Sequence, residues 1–235
     1  MQRYFALAKE KNKLVLSDDD LYHIKTVMRM HENDQIEVVF NKQLYIGKLL
    51  TDYQVEIVKT IPTDIDNKQI ILLIPLLKET KMDLILQKSA ELGVSKIIPV
   101  ELERSIIKLD SLKAEKRLIR WQKILKEASE QSKRIDIPVI TPIKKLTSLT
   151  NLDGLKIVCS TNERQNTLKK VLKNNKGYDK IIVLIGPEGG LTDNEESNLV
   201  SNGFVKVTLG KLIMRVETVP LFVLSILNYE SMVVK

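Results

Sequence analysis

The chain has 235 residues, 43% hydrophobic and 29% charged, an ordinary balance for a globular protein that can bury a sizeable core. The late apolar run Val219 to Leu227 is broken by Pro220 and Ser225 and is too short to cross a bilayer, Met1 to Lys9 lacks a signal-peptide core, and the single cysteine, Cys159, excludes an internal disulfide. A cytoplasmic location with no membrane partner is expected, and the net charge of +7 points to an anionic partner.

Residues 1 to 68 hold 10 Lys+Arg against 11 Asp+Glu, and residues 69 to 235 hold 27 against 19, so all of the excess charge lies in the second part. In the first part, short runs of period-two character predict strands at Arg3 to Leu7, Lys13 to Leu16, Gln35 to Phe40, Leu44 to Leu50 and Gln54 to Ile61, together a small β-barrel. A helix interrupts them. Ser17 offers an N-cap before the acidic turn Asp18-Asp19-Asp20, and Leu21, Ile24, Val27 and Met28 fall at helical spacing. Residues 62 to 68 read as a linker, which places a domain boundary between 1–68 and 69–235.

Beyond the linker, strands alternate with helices. Ile70 to Ile74, Ile97 to Val100, Ile157 to Cys159, Ile181 to Ile185 and Val205 to Leu209 are predicted strands, with helices near 80–92, 115–132, 164–173, 192–201 and 217–230. That alternation predicts an α/β domain with a mostly parallel sheet covered on both faces. In the second helix, Leu118, Trp121, Leu125 and Ala128 form a buried stripe that turns Arg120, Lys123 and Glu127 outward. Residues 96 to 134 hold 11 basic and 6 acidic side chains; the pattern fits an anion-binding face or simply a solvated one.

Two segments share one design. Ile181 to Ile185 runs into Gly186-Pro187-Glu188-Gly189-Gly190, and Thr192 followed three residues later by Glu195 is a capping box that starts a helix. Val207-Thr208-Leu209 likewise runs through Gly210 to Glu217 and a helix. Loops leaving the carboxyl ends of strands in open α/β sheets are where ligands sit. Two adjacent ones can close a pocket with backbone polar groups and the apolar Leu212, Ile213 and Met214, which suits a nucleoside cofactor; the alternative is a pair of plain tight turns. There is no G-x-G-x-x-G after the first α/β strand, no P-loop and no H-E-x-x-H, and two histidines with one cysteine give no expected metal site. His23, on the apolar side of the short helix, reads as structural.

The pairing of Ile185-Gly186-Pro187-Glu188-Gly189-Gly190 with Leu209-Gly210-Lys211-Leu212-Ile213-Met214-Arg215-Val216-Glu217-Thr218 resembles the RsmE family, the small-subunit ribosomal RNA uridine-N3 methyltransferases of the knotted SPOUT superfamily. The resemblance continues in order at Arg3-Tyr4-Phe5, His23 to Arg29, Gln87 to Val94, Glu103-Arg104-Ser105 and Glu127 to Ser132. It implies a PUA-like β-barrel followed by a SPOUT α/β domain with a C-terminal trefoil knot, and a homodimer. S-adenosylmethionine is the implied methyl donor, held by Leu184, Ile185, Gly186, Pro187, Glu188 and Gly190 of the first loop and Leu209, Gly210, Leu212, Ile213 and Met214 of the second. The final helix, apolar on nearly every face from Val219 to Tyr229, independently asks for a partner. Where the family commonly has Arg, Ala and Gly, this chain has Leu212, Val219 and Asn33; a polar role of that arginine passes here to Lys211 or Arg215.

Methylation of uracil N3 requires alignment of nitrogen and sulfonium, stabilisation of charge on the uracil oxygens, and removal of a proton. Arg215 and Glu217 are the candidates for the last two roles, with an Arg–Glu pair that only fixes the knot or dimer contact as the alternative. Arg104, Lys108 and Arg134 are expected to contact RNA phosphates, and Arg3 and Arg29 to orient the substrate, whose target uridine must be unpaired or flipped out. A related methyltransferase acting on transfer RNA or on a ribose hydroxyl, and a noncatalytic RNA-binding protein, are the competing readings. The expected partner is small-subunit ribosomal RNA within the assembled subunit.

Overall fold

A computed structural model describes residues 1–64, 67–149, 152–175 and 177–232. The chain forms two compact units, Met1–Asp66 with Lys126–Ile137, and Asn67–Leu125 with Pro138–Lys235. The first unit thus takes in one segment of the later sequence, Lys126–Ile137.

In the first unit, β1 (Arg3–Phe5), β2 (Ala8–Glu10), β3 (Lys13–Val15), β4 (Gln35–Phe40), β5 (Gln43–Leu49) and β6 (Val55–Ile61) make one sheet in the order β1-β4-β5-β6-β3-β2. Only β1 and β4 run parallel, and a register shift at Ile46/Gly47 coils the β5–β6 pair. The strand β2 was not expected from the sequence: as an exposed edge strand it carries no apolar alternation. Ser17 caps α1 (Asp18–Tyr22) through a capping box with Asp20. The helix then widens into a π turn over His23–Val27, which buries Ile24 but leaves Val27 and Met28 exposed, so the expected apolar stripe is only partly used. His23 Nδ1 lies 3.0 Å from the Tyr4 hydroxyl.

The second unit holds β7 (Gln69–Pro75), α2 (Glu79–Glu91), β8 (Lys96–Glu101), most of α3 (Ser111–Gln131), the short β9 (Val139–Ile140) and β10 (Lys144–Lys145), β11 (Leu155–Cys159), α4 (Leu168–Asn174), β12 (Lys180–Ile185), α5 (Asp193–Ser201), β13 (Val205–Val207) and α6 (Thr218–Ser231). The sheet is parallel throughout in the order β10-β8-β7-β12-β11-β13, with β9 on β8. β7 and β12 are buried along almost their whole length, as suits central parallel strands with continuous aliphatic runs. Trp121 and Leu125 on α3 are buried as expected, while Arg120 and Lys123 face outward.

Helix α3 begins at Ser111, ahead of the expected 115, β9 and β10 are added, and two further departures have visible reasons. Helix α4 starts at Leu168 rather than near 164, because the Glu163 carboxylate accepts the N–H groups of Arg164, Gln165 and Asn166 in a turn and Thr167 becomes the N-cap. Strand β13 stops at Val207 because Thr208 leaves the ladder to bridge Thr167 and to bond Gly210 through its side chain. Among the described residues no helix is long and apolar enough to cross a membrane.

Candidate active site

The carboxyl ends of β12, β11 and β13 are neighbours in the sheet, so the loops leaving them converge. They enclose a cavity of about 590 Å³ in the second unit. The first wall is the segment after β12. Gly190 takes φ +71°, a conformation that a side chain would strain, and its N–H donates to the Pro187 carbonyl at 2.9 Å, closing the tight turn. Thr192 then caps α5 in a complete capping box: Glu195 N–H donates to the Thr192 hydroxyl, and Thr192 N–H to a Glu195 oxygen at 2.9 Å. The other Glu195 oxygen accepts the Glu103 N–H at 2.8 Å, so one buried carboxylate also ties the loop to the segment after β8. From that segment Arg104 donates to the Gly189 carbonyl at 2.9 Å and the Leu191 carbonyl at 3.3 Å.

The second wall is the segment after β13. Gly210 takes φ +127° and opens the chain away from the strand. Leu212 and Ile213 are 84% and 80% exposed, the most exposed large hydrophobic side chains among the described residues, and Met214 is half-buried beside them. Exposed Arg215 also lines the cavity. Its carbonyl accepts the Thr218 N–H at 2.9 Å where α6 begins.

Lys81, in the first turn of α2, joins the two walls. Its ammonium lies 3.1 Å from a Glu188 oxygen and 3.1 Å from a Glu217 oxygen. Hydrogen bonding to the two carboxylates, Glu188 first, holds the Lys81 ammonium above its usual pKa. The Glu217 carboxyl is held below the usual range, first by its own backbone N–H and then by Lys81 and Arg215 against the cost of partial burial. Glu217 is therefore an ionised, fixed carboxylate. A third wall, absent from the sequence reading, is the loop after β11: Ser160, Thr161, Asn162 and Arg164 line the cavity. Ser160 donates to buried Glu196, which Lys206 also approaches at 3.3 Å.

All the residues expected to hold the cofactor line this cavity except Leu184. Strand alternation turns Leu184 into the core with Ile182, Val158 and Leu73, fully buried, so it is a packing residue. The expected catalytic pair is brought to the same place, Arg215 on the wall and Glu217 behind it on Lys81.

The expected RNA-binding residues are scattered. Arg104 is spent on the loop carbonyls at the cavity, and Lys108 is exposed in the irregular stretch before α3. In the first unit, Arg3 is buried, paired with Glu37 at 2.9 Å and bonded to the Lys133 carbonyl; Arg134 is nearly buried and forks onto Asp136 at 2.8 Å. Only Arg29, exposed at φ +51°, keeps a free setting there. Lys81, Ser160 and Glu196 have partners distant in sequence, Glu188 being 107 residues from Lys81 and Glu196 36 from Ser160, and Arg164 reaches the cavity only through the loop after β11, so none of the four is legible locally.

Residues 65–228 match the model of the RNA methyltransferase domain, and residues 16–58 match that of the RNA methyltransferase PUA domain. The chain is 30% identical to the ribosomal RNA small subunit methyltransferase E of Bacillus subtilis, over 98% of this chain and 97% of that protein. It is 32% identical to the protein of the same name from Mesomycoplasma hyopneumoniae, over 96% of this chain and 98% of that one. Among solved structures, the Neisseria gonorrhoeae ribosomal RNA small subunit methyltransferase E bound to S-adenosyl methionine superposes with a TM-score of 0.85 at 32% identity, covering 98% of both chains. A Legionella pneumophila methyltransferase in complex with the same cofactor gives 0.89 at 26%, again over 98% of both. With its fold, its paired glycine loops and its full-length likeness in agreement, the chain belongs to the RNA methyltransferase family whose members include the ribosomal RNA small subunit methyltransferases E.

Proposed function

We propose that this protein transfers a methyl group from S-adenosylmethionine to N3 of a uridine in small-subunit ribosomal RNA. The observation that carries the reading is the convergence of both glycine loops on one cavity of about 590 Å³, within the size range of small-molecule sites, in a chain of this family. The lining fits the cofactor: Ile185, Gly186, Pro187, Glu188, Gly190, Leu209 and Gly210 bring main chain to the cavity at the strand ends, and Leu212, Ile213 and Met214 supply apolar cover. When bound, the cofactor supplies an electrophilic methyl group on a sulfonium. The protein's own part is to orient the uracil, to stabilise charge on its oxygens through Arg215, and to take the N3 proton at Glu217. Because Glu217 is held ionised by Lys81 and its own backbone N–H, it is ready to accept that proton over a wide pH range, though as a weak base.

The wider reading has three further parts. The C-terminal segment that carries the second loop and α6 forms the trefoil knot implied by the resemblance. The protein acts in the cytoplasm on the assembled small subunit. Two copies pair through α6, whose Leu221, Phe222 and Ile226 are only partly covered and whose Tyr229 is 73% exposed. The test is transfer of labelled methyl to unmodified small subunits and to their naked RNA, followed by nucleoside digestion. Label in 3-methyluridine is the expected result; label in another nucleoside overturns the base assignment, and no label together with RNA binding supports a noncatalytic binding protein.

A further inference from the structure

The cavity wall carries a charge excess that the cofactor does not need. Its two lining carboxylates are each matched from within: Glu188 by Lys81, which also holds Glu217 behind the wall, and Glu196 by Ser160 and Lys206. Arg104, Arg164, Lys211 and Arg215 also line the cavity, and among the described residues no ion pair joins Arg164 or Lys211 to a carboxylate. S-adenosylmethionine is itself a net cation, with a sulfonium and an ammonium against one carboxylate. Uncompensated positive side chains around its site oppose its binding, so they answer to the other substrate, which is a polyanion.

Both free cations stand on braced backbone. Arg164 follows Glu163, whose single carboxylate oxygen accepts N–H groups from Arg164, Gln165 and Asn166 at 2.9, 2.7 and 3.0 Å. Lys211 follows Gly210, whose N–H and carbonyl are both engaged by the Thr208 hydroxyl, at 3.3 and 3.2 Å. Exposed side chains on loops fixed in this way are placed in advance, which lowers the ordering cost of a contact. We propose that Arg164 and Lys211 form a phosphate clamp at the rim of the cavity, holding the RNA backbone on either side of the uridine that enters. The clamp rests on the proposed methyl-transfer reading and names the protein groups that grip the substrate at that site. It also moves the main phosphate contacts away from Arg3 and Arg134, whose guanidinium groups are already engaged within the first unit.

Equilibrium binding of a labelled small-subunit ribosomal RNA transcript to the full-length protein over a range of salt concentrations tests the clamp. Each of Arg164→Ala and Lys211→Ala is expected to flatten the plot of log affinity against log salt by about 0.7 to 0.9, the contribution of one phosphate contact, and the double variant by about twice that. Arg164→Lys and Lys211→Arg, which keep the charge, are expected to retain the slope. Affinity for S-adenosylhomocysteine, measured by calorimetry in the same proteins, stays within about twofold. Unchanged slopes in both alanine variants overturn the clamp, as does a parallel loss of S-adenosylhomocysteine affinity, which would assign these side chains to the cofactor. If the unaltered protein transfers no methyl group while the slopes still fall, the clamp stands and the methyl-transfer reading is what fails.

Discussion

Lys81 carries the least legible role in the site. Nothing in Lys78-Glu79-Thr80-Lys81 distinguishes it from any lysine in the first turn of a helix, yet its one ammonium holds a carboxylate from each glycine loop. Lys81→Met is expected to weaken S-adenosylhomocysteine binding about tenfold in calorimetry, on the scale of one lost charge-assisted contact, with Lys81→Arg recovering most of it. Arg215→Ala and Glu217→Gln are expected to leave that affinity near normal and to lower turnover on saturating RNA by about a hundredfold or more, the usual worth of a positioned acid–base or charge-stabilising group. Near-full turnover in both would reduce the pair to a structural contact. In the first unit, burial, aided by the Asp20 carboxylate, pushes Glu130 up to about 7 against the pull of Lys126 at 3.2 Å. Lys126 is hydrogen-bonded to Asp20 and its pKa stays raised despite burial, so Asp20 takes the larger share of the ammonium. Glu130 binds its proton more tightly in the folded than in the unfolded chain. Its contribution is therefore fully present at pH below the unfolded value and is lost as pH rises toward about 7. Glu130→Gln should remove that part of the decline in denaturant stability between the unfolded carboxyl pKa and neutrality; an unchanged pH profile would count against it.

At the scale of elements, caps were the most reliable sequence signals. Ser17 and Thr192 both close complete capping boxes, because the bonds of that motif lie within four residues and need no tertiary partner. The start of α4 at the Thr167 cap, later than the expected 164, follows from Glu163, which diverts three N–H groups into a turn just before it. Thr192→Ala is expected to cost about 1 kcal/mol of stability in denaturant unfolding, the usual worth of an N-cap. It should also loosen the first loop, because Glu195 then holds Thr192 N–H and Glu103 N–H without its reciprocal bond. Weaker S-adenosylhomocysteine binding together with the lost stability is the expected outcome; lost stability alone would show that the loop does not depend on its cap. Core strands were equally legible. The continuous aliphatic runs of β7 and β12 point to burial on both faces, and they are buried.

At the scale of the whole molecule, the exposed part of α6 bears on assembly. Helix α6 buries Pro220, Val223, Leu224 and Leu227 within its own unit and leaves Tyr229 in solvent. Sedimentation is expected to show a dimer for the unaltered protein and a monomer with an unchanged melting temperature for Tyr229→Glu; a monomer in both would remove α6 as the pairing surface. The residues of the sequence by themselves determined the α/β alternation, the helix caps and the two glycine loops. Each of these is written in local period, in turn residues or in bonds between near neighbours. Tertiary structure alone decided that Lys126–Ile137 joins the first unit, that Leu184 faces the core while Ile185 faces the cavity, and that Lys81 bridges the loops. It also decided which cations are already spent, as Arg3 and Arg134 are, and which stand free. The physical reason is the same throughout: charge pairing and pocket lining depend on which distant segments the sheet order brings together, and no local pattern records the partner.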